Sequence, residues 1–399
     1  MISEINELAL GIDLGPVNSQ LTFYNRQNSA PRTVSVVPGE ENYQITTPAE
    51  LFPAMEQHFE EGVALLADFF GQCLELLATA GKPDSILAVV TMKKMNGTWA
   101  DGIRAAFERL GIPGDHVFLQ DYRESFYWYM MNQRKDLWTY QVALFSCEKG
   151  KVTAFELSVD RKTRPALVSI DEKGMVYLDE MAREGRPEKL WLEVKDEKFL
   201  ELAKKMFGKR TFSSVYLVGE EFDKSWMGNS LAFLCSRRKV FMGQNLYTKG
   251  ACYAAMEYAR MSRVGDYLYA GPDMIEQNMG MQMIIRGHRE FYPMISAGVN
   301  WYMARAECEF VLDDTSEVIL YSKSMAGEEL SHTVRLPGLP DRPNRATRLH
   351  LSLSFIGKRK CRVRVTDLGL GNLYPASGKR WDAVITFAAE KTPGKEGEA

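Results

Sequence analysis

The chain has 399 residues, 45% of them apolar and 25% charged, and 49 basic against 52 acidic side chains leave a formal net charge of −3. This composition excludes a collagen-like, disulfide-rich or mostly disordered protein, and the near-neutral balance excludes a broad polyanion-binding surface. At roughly 100–200 residues per domain, the length predicts two domains or three, with cores that need no covalent staples.

In chain order, Leu8 to Leu14 reads as a first strand, with a turn at Gly15-Pro16. Ser19 to Tyr24 and Thr33 to Val37 complete an antiparallel meander. A helix opening at Pro53 carries Phe59, Val63, Leu66, Phe69, Phe70, Cys73, Leu74 and Leu77 at helical spacing, and Gly81 and Pro83 end it. Ile86 to Met92 is short and apolar enough for a buried strand. Thr98 and Asp101 form a capping-box-like start for a helix to Leu110, with Gly111 at its end. Val117 to Leu119 and a helix from Arg123 to Arg134 follow. This βαβα series predicts parallel strands with right-handed crossovers.

The outline then repeats. Gln141 to Phe145 and Val152 to Val159 make a hairpin around Glu148-Lys149-Gly150, and Pro165 to Ile170 adds a strand. A helical stretch from Pro187 to Lys205, a strand from Val215 to Val218 ending at Gly219, and helices at Ser225 to Leu234 and Thr248 to Met261 complete a second α/β unit. Near Asp266 the pattern changes to Gly- and Pro-punctuated sequence. Beyond it the helical period is gone, and Leu349, Leu351, Leu353 and Phe355 alternate with His350, Ser352 and Ser354, the mark of a half-buried antiparallel strand. The expected division is a domain over 1–265, a linker over 266–274, an antiparallel β-sandwich over 275–388 and a disordered tail over 389–399.

Several chemistries are absent from the pattern. The six cysteines contain no C-x-x-C pair, which disfavours a zinc or thioredoxin-type site and fits buried thiols in a reducing cytoplasm. The five histidines form no H-x-x-x-H pair. The first residues, MISEINELALGID, lack the basic and apolar regions of a secretory leader. The most apolar long stretch, Gly62 to Ala80, holds Asp68 and Glu75, and so reads as a core helix rather than a membrane span. Arg362 and Arg364 alternate with Cys361, Val363 and Val365, which predicts a solvated sheet face rather than a nucleic-acid surface. Tyr122, Phe126, Tyr127, Trp128 and Tyr129 are too aromatic for an exposed helix and are expected to pack between lobes.

The segment from Gly11 to Ser19 carries the chemistry. A buried strand ends in Asp13, and Gly15 lets a turn approach an anion, its amides forming a nest. Asp13 suits a water-mediated contact to Mg²⁺, and Asn18 and Ser19 add polar groups. A plain hairpin turn without a ligand explains the same residues equally well.

This motif resembles the first phosphate loop of the actin-like ATPases, in the form used by DnaK-type chaperones of the seventy-kilodalton heat-shock family. The segment from Ser85 to Tyr129 is similar to that family's strand–helix–strand–helix stretch, in which Asp121 takes the place of a family acid that would orient a metal-bound water. VYLVGEEF resembles the adenosine motif, with Gly219 at its first glycine and Glu220 where the family has a second. GACYAA resembles the small-residue helix closing the nucleotide domain, and the segment from Val334 to Gly371 is similar to the end of the chaperones' β-sandwich. The resemblance implies a two-lobed actin-like (ribonuclease H-like) α/β nucleotide-binding domain followed by a β-sandwich. It implies ATP or ADP with Mg at Asp13, Gly15, Asn18, Ser19 and Gly219.

The chain departs from that family where hydrolysis needs it most. The second phosphate loop, an Asp with a glycine run, is replaced by Ser146-Cys147-Glu148-Lys149-Gly150, and Glu148 is the nearest substitute acid. The subdomain with the catalytic lysine is missing, and so is the helical lid. The leading reading is therefore a chaperone relative with a degenerate ATPase site, binding nucleotide and, through the β-sandwich, a protein or peptide partner, with neither nucleic acid nor membrane involved. A slow ATPase with a rearranged second loop and a nucleotide-free scaffold are the alternatives.

Overall fold

A computed structural model describes residues 7–37, 40–77, 85–178, 187–219, 221–325 and 327–388. The chain divides into two compact units, Met1–Gly271 and Pro272–Ala399. The disordered tail expected over 389–399, the helix stop at Gly81 and Pro83, and Glu220 lie outside the described residues.

The first unit has two lobes of like topology. In the first lobe run β1 (Glu7–Asp13), β2 (Asn18–Tyr24), β3 (Arg32–Thr33), β4 (Ile45–Thr46), α1 (Leu51–Gln57), α2 (Phe59–Glu75), β5 (Ser85–Met92), α3 (Gly97–Arg109), β6 (Val117–Asp121) and α4 (Tyr122–Met131). The sheet order is β3-β2-β1-β5-β6, with β4 on β2. The β1–β2 and β2–β3 pairs are antiparallel, whereas β1–β5 and β5–β6 are parallel. In the second lobe run β7 (Gln141–Glu148), β8 (Lys151–Asp160), β9 (Ala166–Tyr177), α5 (Glu188–Phe207), β10 (Phe212–Val218), α6 (Gly228–Cys235), β11 (Lys239–Met242), α7 (Leu246–Tyr258) and β12 (Tyr267–Tyr269). Its order, β11-β10-β7-β8-β9-β12, repeats the antiparallel meander and the two parallel crossovers. The duplicated α/β unit expected from the sequence is thus present as two lobes.

Two helices tie the lobes together. α4 turns its aromatic residues to the second lobe: Phe126 and Tyr129 meet Tyr216 edge-on, and the Tyr127 hydroxyl donates to the Tyr267 carbonyl at 3.0 Å. α7, which follows the second lobe in sequence, packs on the first. Its Thr248 hydroxyl donates to the Gly11 carbonyl at 3.0 Å, and a Cβ at Gly11 would overlap the Cys252 amide nitrogen. Where the helices cross, a Cβ at Gly250 would overlap the Ser125 carbonyl oxygen. The small residues of GACYAA are what allow this approach.

Local differences from the expected elements have local causes. The helix expected from Pro53 is two helices, broken at His58, whose backbone leaves the helical region at φ −138°, ψ 72°. The cap of α3 is Asn96, whose side chain accepts from the Trp99 amide at 2.9 Å, rather than Thr98. The turn joining β7 and β8 is the two-residue pair Lys149-Gly150, both left-handed at φ +48° and +74°, which suits a tight hairpin. The linker expected over 266–274 is partly sheet: Tyr267–Tyr269 pairs in parallel with β9. β11 was not expected, because four residues that begin in the basic run Arg237-Arg238-Lys239 carry little strand signal. Of that run, Arg238 donates to the Phe233 and Leu234 carbonyls at the end of α6, and Lys239 pairs with Asp136.

The second unit contains β13 (Gln277–Ile285), β14 (His288–Ile295), β15 (Arg305–Val311), β16 (Glu317–Ser324), β17 (Glu329–Arg335), β18 (Arg348–Gly357), β19 (Lys360–Asp367) and β20 (Arg380–Thr386). Two antiparallel sheets, β14-β13-β16-β17 and β15-β18-β19-β20, share one core in which Met279, Met281 and Leu320 meet Leu349, Leu351, Leu353, Val363 and Val365. At its end a buried ion pair fixes the loops. Arg342 donates to both Asp367 carboxylate oxygens at 2.8 Å and to the Pro375 carbonyl, while Asp367 also accepts from the Gly369 and Ser377 amides. Burial opposes the Asp367 charge, but these donors prevail and hold the carboxyl well below the usual range.

Two substitutions test these points by chemical denaturation. Gly250→Ala forces the crossing apart and is expected to destabilise the first unit by about 1–3 kcal/mol or more. Arg342→Met leaves the Asp367 carboxylate buried without its partner and is expected to cost about 3–5 kcal/mol. Losses under about 0.5 kcal/mol at either position, the size typical of surface changes, would contradict these assignments.

Candidate functional site

A cleft of about 490 Å³ opens in the first unit at the carboxyl ends of β1, β5, β7 and β10, the edge at which open α/β sheets place their ligands. Asp13 ends β1, Lys93 follows β5, Ser146 to Glu148 end β7, and Gly219 follows β10.

The floor is aromatic. The Tyr122 hydroxyl donates to Asp13 Oδ1 at 2.8 Å. Its ring stacks on Tyr247, with centroids 3.9 Å apart and planes 6° from parallel. Tyr247 shares the cleft lining with Ser146 of β7. A chain of contacts thus runs from the first lobe to the second through the first residues of α4 and α7. Burial pushes the Asp13 carboxyl up to about 7, against the pull of the Tyr122 hydrogen bond. Burial and the nearby Asp13 raise the Tyr122 phenol well above its ordinary value, so the shared proton stays on tyrosine.

Above the floor, Lys93 and Glu148 form an ion pair across the cleft. On the α1 side the rings of Phe52 and Trp99 lie 4.5 Å apart. The second turn is closed from within: both Glu221 carboxylate oxygens accept from the Gly150 amide, at 2.8 and 2.9 Å, and the Cys147 thiol donates to the same group at 3.2 Å.

The expected site residues divide into two groups. Asp13, Asn18 and Gly219 line the cleft together. Gly219 has φ +124°, and a Cβ there would overlap the Cys147 carbonyl oxygen, so the close approach of β10 to β7 already accounts for this glycine. Ser19 is buried beneath the loop, where its hydroxyl accepts from the Gly15 amide at 3.3 Å and bonds the Thr47 hydroxyl at 2.8 Å. The Gly15 amide, expected to meet a phosphate, therefore has an in-chain acceptor. Asp121, expected to orient a water, is the N-cap of α4 and accepts from the Glu124 amide at 2.8 Å. Glu148, the substitute acid of the second turn, is engaged by Lys93. Among the described residues no group of three or more His, Cys, Asp or Glu is placed to hold a metal ion.

Residue-by-residue reading missed Tyr122, Tyr247, Lys93, Gln20, Phe52, Trp99 and Glu221. Lys93 was accessible from the rule that ligands gather at strand carboxyl ends. The two tyrosines were not, since each looks like ordinary core at a helix start.

The Asp13 environment carries a pH signature. A carboxyl whose folded pKa is raised binds protons that the unfolded chain has released between about pH 4 and 7, so stability falls as pH rises through that window. Asp13→Asn keeps an acceptor for Tyr122 and removes the titration. It is expected to melt above the unsubstituted protein at pH 8 and close to it at pH 4.5. Equal offsets at the two pH values would contradict the assignment.

The model of a family of unknown function, DUF5716 C-terminal, matches residues 50–272, more than half of the chain, and that of a domain of unknown function, DUF8552, matches residues 274–387. No curated protein matches. Among solved structures, the chain is similar to a ROK-family transcriptional regulator, a homologue of the E. coli MLC protein, at 10% identity and a TM-score of 0.38, covering 63% of this chain and 78% of that one. It is also similar to a Bacteroides thetaiotaomicron protein with an actin-like ATPase fold and unknown function, at 10% identity and a TM-score of 0.33, covering 63% of this chain and 98% of that one. Likenesses this distant carry no argument about chemistry, and the chaperone part of the sequence resemblance finds no support in them.

Proposed function

The chain belongs to the DUF5716 family of unknown function, and from the geometry of its cleft we propose that it acts by binding a small ligand between two lobes, without hydrolysing it. The observation that carries this reading is the second turn. Phosphoryl transfer relies on positioned amides, a metal and a water-orienting group. Here the Gly150 amide is held by Glu221, the Gly15 amide has Ser19 as acceptor, and Asp121 caps a helix. A magnesium-clamped triphosphate does not fit these residues. Asp13 Oδ1 already accepts from the Tyr122 hydroxyl, which leaves it a poor partner for hydrated Mg²⁺.

What the cleft keeps is volume, aromatic surface and polar groups from both lobes, the ordinary ingredients of a small-molecule site. The nucleoside part of a nucleotide suits it better than the phosphates do. The nucleotide-free scaffold is a second reading, favoured by the Lys93–Glu148 pair, which joins the lobes directly.

For the β-sandwich, the reading carried over from the sequence resemblance is contact with a protein or peptide. On its basic strand face Arg364 and Arg380 share Asp382, and beside it Arg348 faces Glu309 and His350 faces Glu307, pairings that favour this reading over a nucleic-acid surface. Among the described residues no helix is long and apolar enough to cross a membrane.

Phosphate release and thermal melting test the proposal. With millimolar Mg-ATP, release is expected to stay at the level of an Asp13→Ala control. Adenosine or ADP is expected to raise the melting temperature, since a ligand at about 100 times its Kd stabilises by roughly 2.7 kcal/mol. Magnesium-dependent release abolished by Asp13→Ala would restore the slow-ATPase alternative. No shift with any small ligand tried would favour the scaffold.

A further inference from the structure

Resting on the reading of the β-sandwich as a unit that contacts a protein or peptide, we infer that the loop from β19 to β20 makes that contact, setting Leu373 into an apolar socket on a partner protein. A loop shaped by folding alone hides its leucine and exposes its carboxylate, and here the reverse holds. Asp367, at the end of β19, is 2% exposed, whereas Leu373 is 86% exposed. The Asp367 carboxylate takes both Arg342 donors and the amides of Gly369 and Ser377, so the two arms of the loop are tied to one buried group. The Asp367 amide donates to the Lys379 carbonyl at 3.0 Å, and the Leu370 amide donates to the Tyr374 carbonyl at 2.6 Å. The arms lie so close that a Cβ at Gly369 would overlap the Tyr374 carbonyl oxygen. Between Leu370 and Tyr374 only Gly371, Asn372 and Leu373 remain, and they form the tip. Burying an ion pair and ordering a loop both cost free energy, and here both fix a leucine in the open. Compact loops with joined ends are frequently functional, and a side chain fixed beforehand gives up little entropy on binding.

Charge and area narrow the partner. Residues 368–378 carry no charged side chain, in a chain that is 25% charged. The basic groups at the base of the loop are engaged: Arg342 by Asp367, Arg380 by Asp382, and the Lys379 ammonium by the Gly338 carbonyl. A phosphate-bearing surface, in nucleic acid or in an anionic membrane, is held by basic groups free to meet it. The loop offers apolar surface instead. Two copies meeting tip to tip would bury little more than one leucine each, far below the roughly 800 Å² per partner of a stable interface. A concave protein socket encloses the sides of a projecting loop as well as its tip, and so suits this shape.

The test places a photo-cross-linking phenylalanine analogue at position 373 of the full chain, in the cells that make it. The same analogue at Met325, 66% exposed in the turn between β16 and β17, is the control. A protein cross-linked from position 373 and not from 325 is purified and titrated calorimetrically with the unsubstituted full chain. It is expected to bind, and Leu373→Asp is expected to weaken it about thirtyfold or more, as loss of a central anchor does. The same variant is expected to keep the melting temperature, since the side chain is exposed. Leu373→Ser serves should the aspartate variant fail to fold. Binding unchanged in both variants overturns the inference, as does a protein cross-linked from position 325 alone, and either result leaves the sandwich as a protein-binding unit. Sedimentation with phosphatidylcholine–phosphatidylserine vesicles that Leu373→Asp abolishes assigns the loop to a membrane and overturns it. A dimer in solution that Leu373→Asp abolishes assigns it to a second copy and also overturns it. Cross-links from neither position remove the docking loop and the protein-binding reading together.

Discussion

The first unit depends on one close approach. α7 lies so near β1 and α4 that Gly11 and Gly250 have no room for a Cβ, and its Thr248 hydroxyl reaches across to the Gly11 carbonyl. Because α7 follows the second lobe in sequence yet packs on the first, and α4 follows the first yet packs on the second, the lobes are fastened by exchanged helices. The same two helices begin at the cleft floor. Tyr122 and Tyr247 are their first and second residues, and the crossing is what sets those rings face to face beneath Asp13. Packing of small residues at the seam is therefore also the geometry of the site.

On that frame the turns at the cleft are closed from within. In each of them a backbone amide meets a side chain of this protein: Ser19 in the turn after β1 and Glu221 in the turn after β7. Carboxylate bonding to backbone amides is among the stronger neutral-to-charged hydrogen bonds, so Glu221 is a built-in competitor for any phosphate. The cleft that remains is aromatic and acceptor-bearing. Such a site discriminates by donors and shape, and has no positive field with which to gather polyanions.

How much of this was legible in the sequence follows element by element. The strands around Asp13, the two meanders, the crossovers and the sheet alternation at Leu349–Phe355 were readable, because burial on one or both faces imposes a period on the residues. The Asn96 cap, the break at His58 and the short β11 were not, since each is decided by one or two residues whose intrinsic preferences are weak. Asp121 shows the same limit in the site: an acid at a strand end reads as catalytic or as a helix cap equally well, and only its bond to the Glu124 amide decides.

The sequence by itself determined the layers, the duplication and the change to β-sheet past residue 266, because these are written in local periodicity and residue type. The tertiary structure alone decided which groups share the cleft. Glu221, seventy-one residues from Gly150, takes its amide, and Tyr122, more than a hundred residues from Asp13, holds its carboxyl. Contacts at such separations leave no periodic trace in the chain, since they depend on where the lobes and their exchanged helices bring strand ends together.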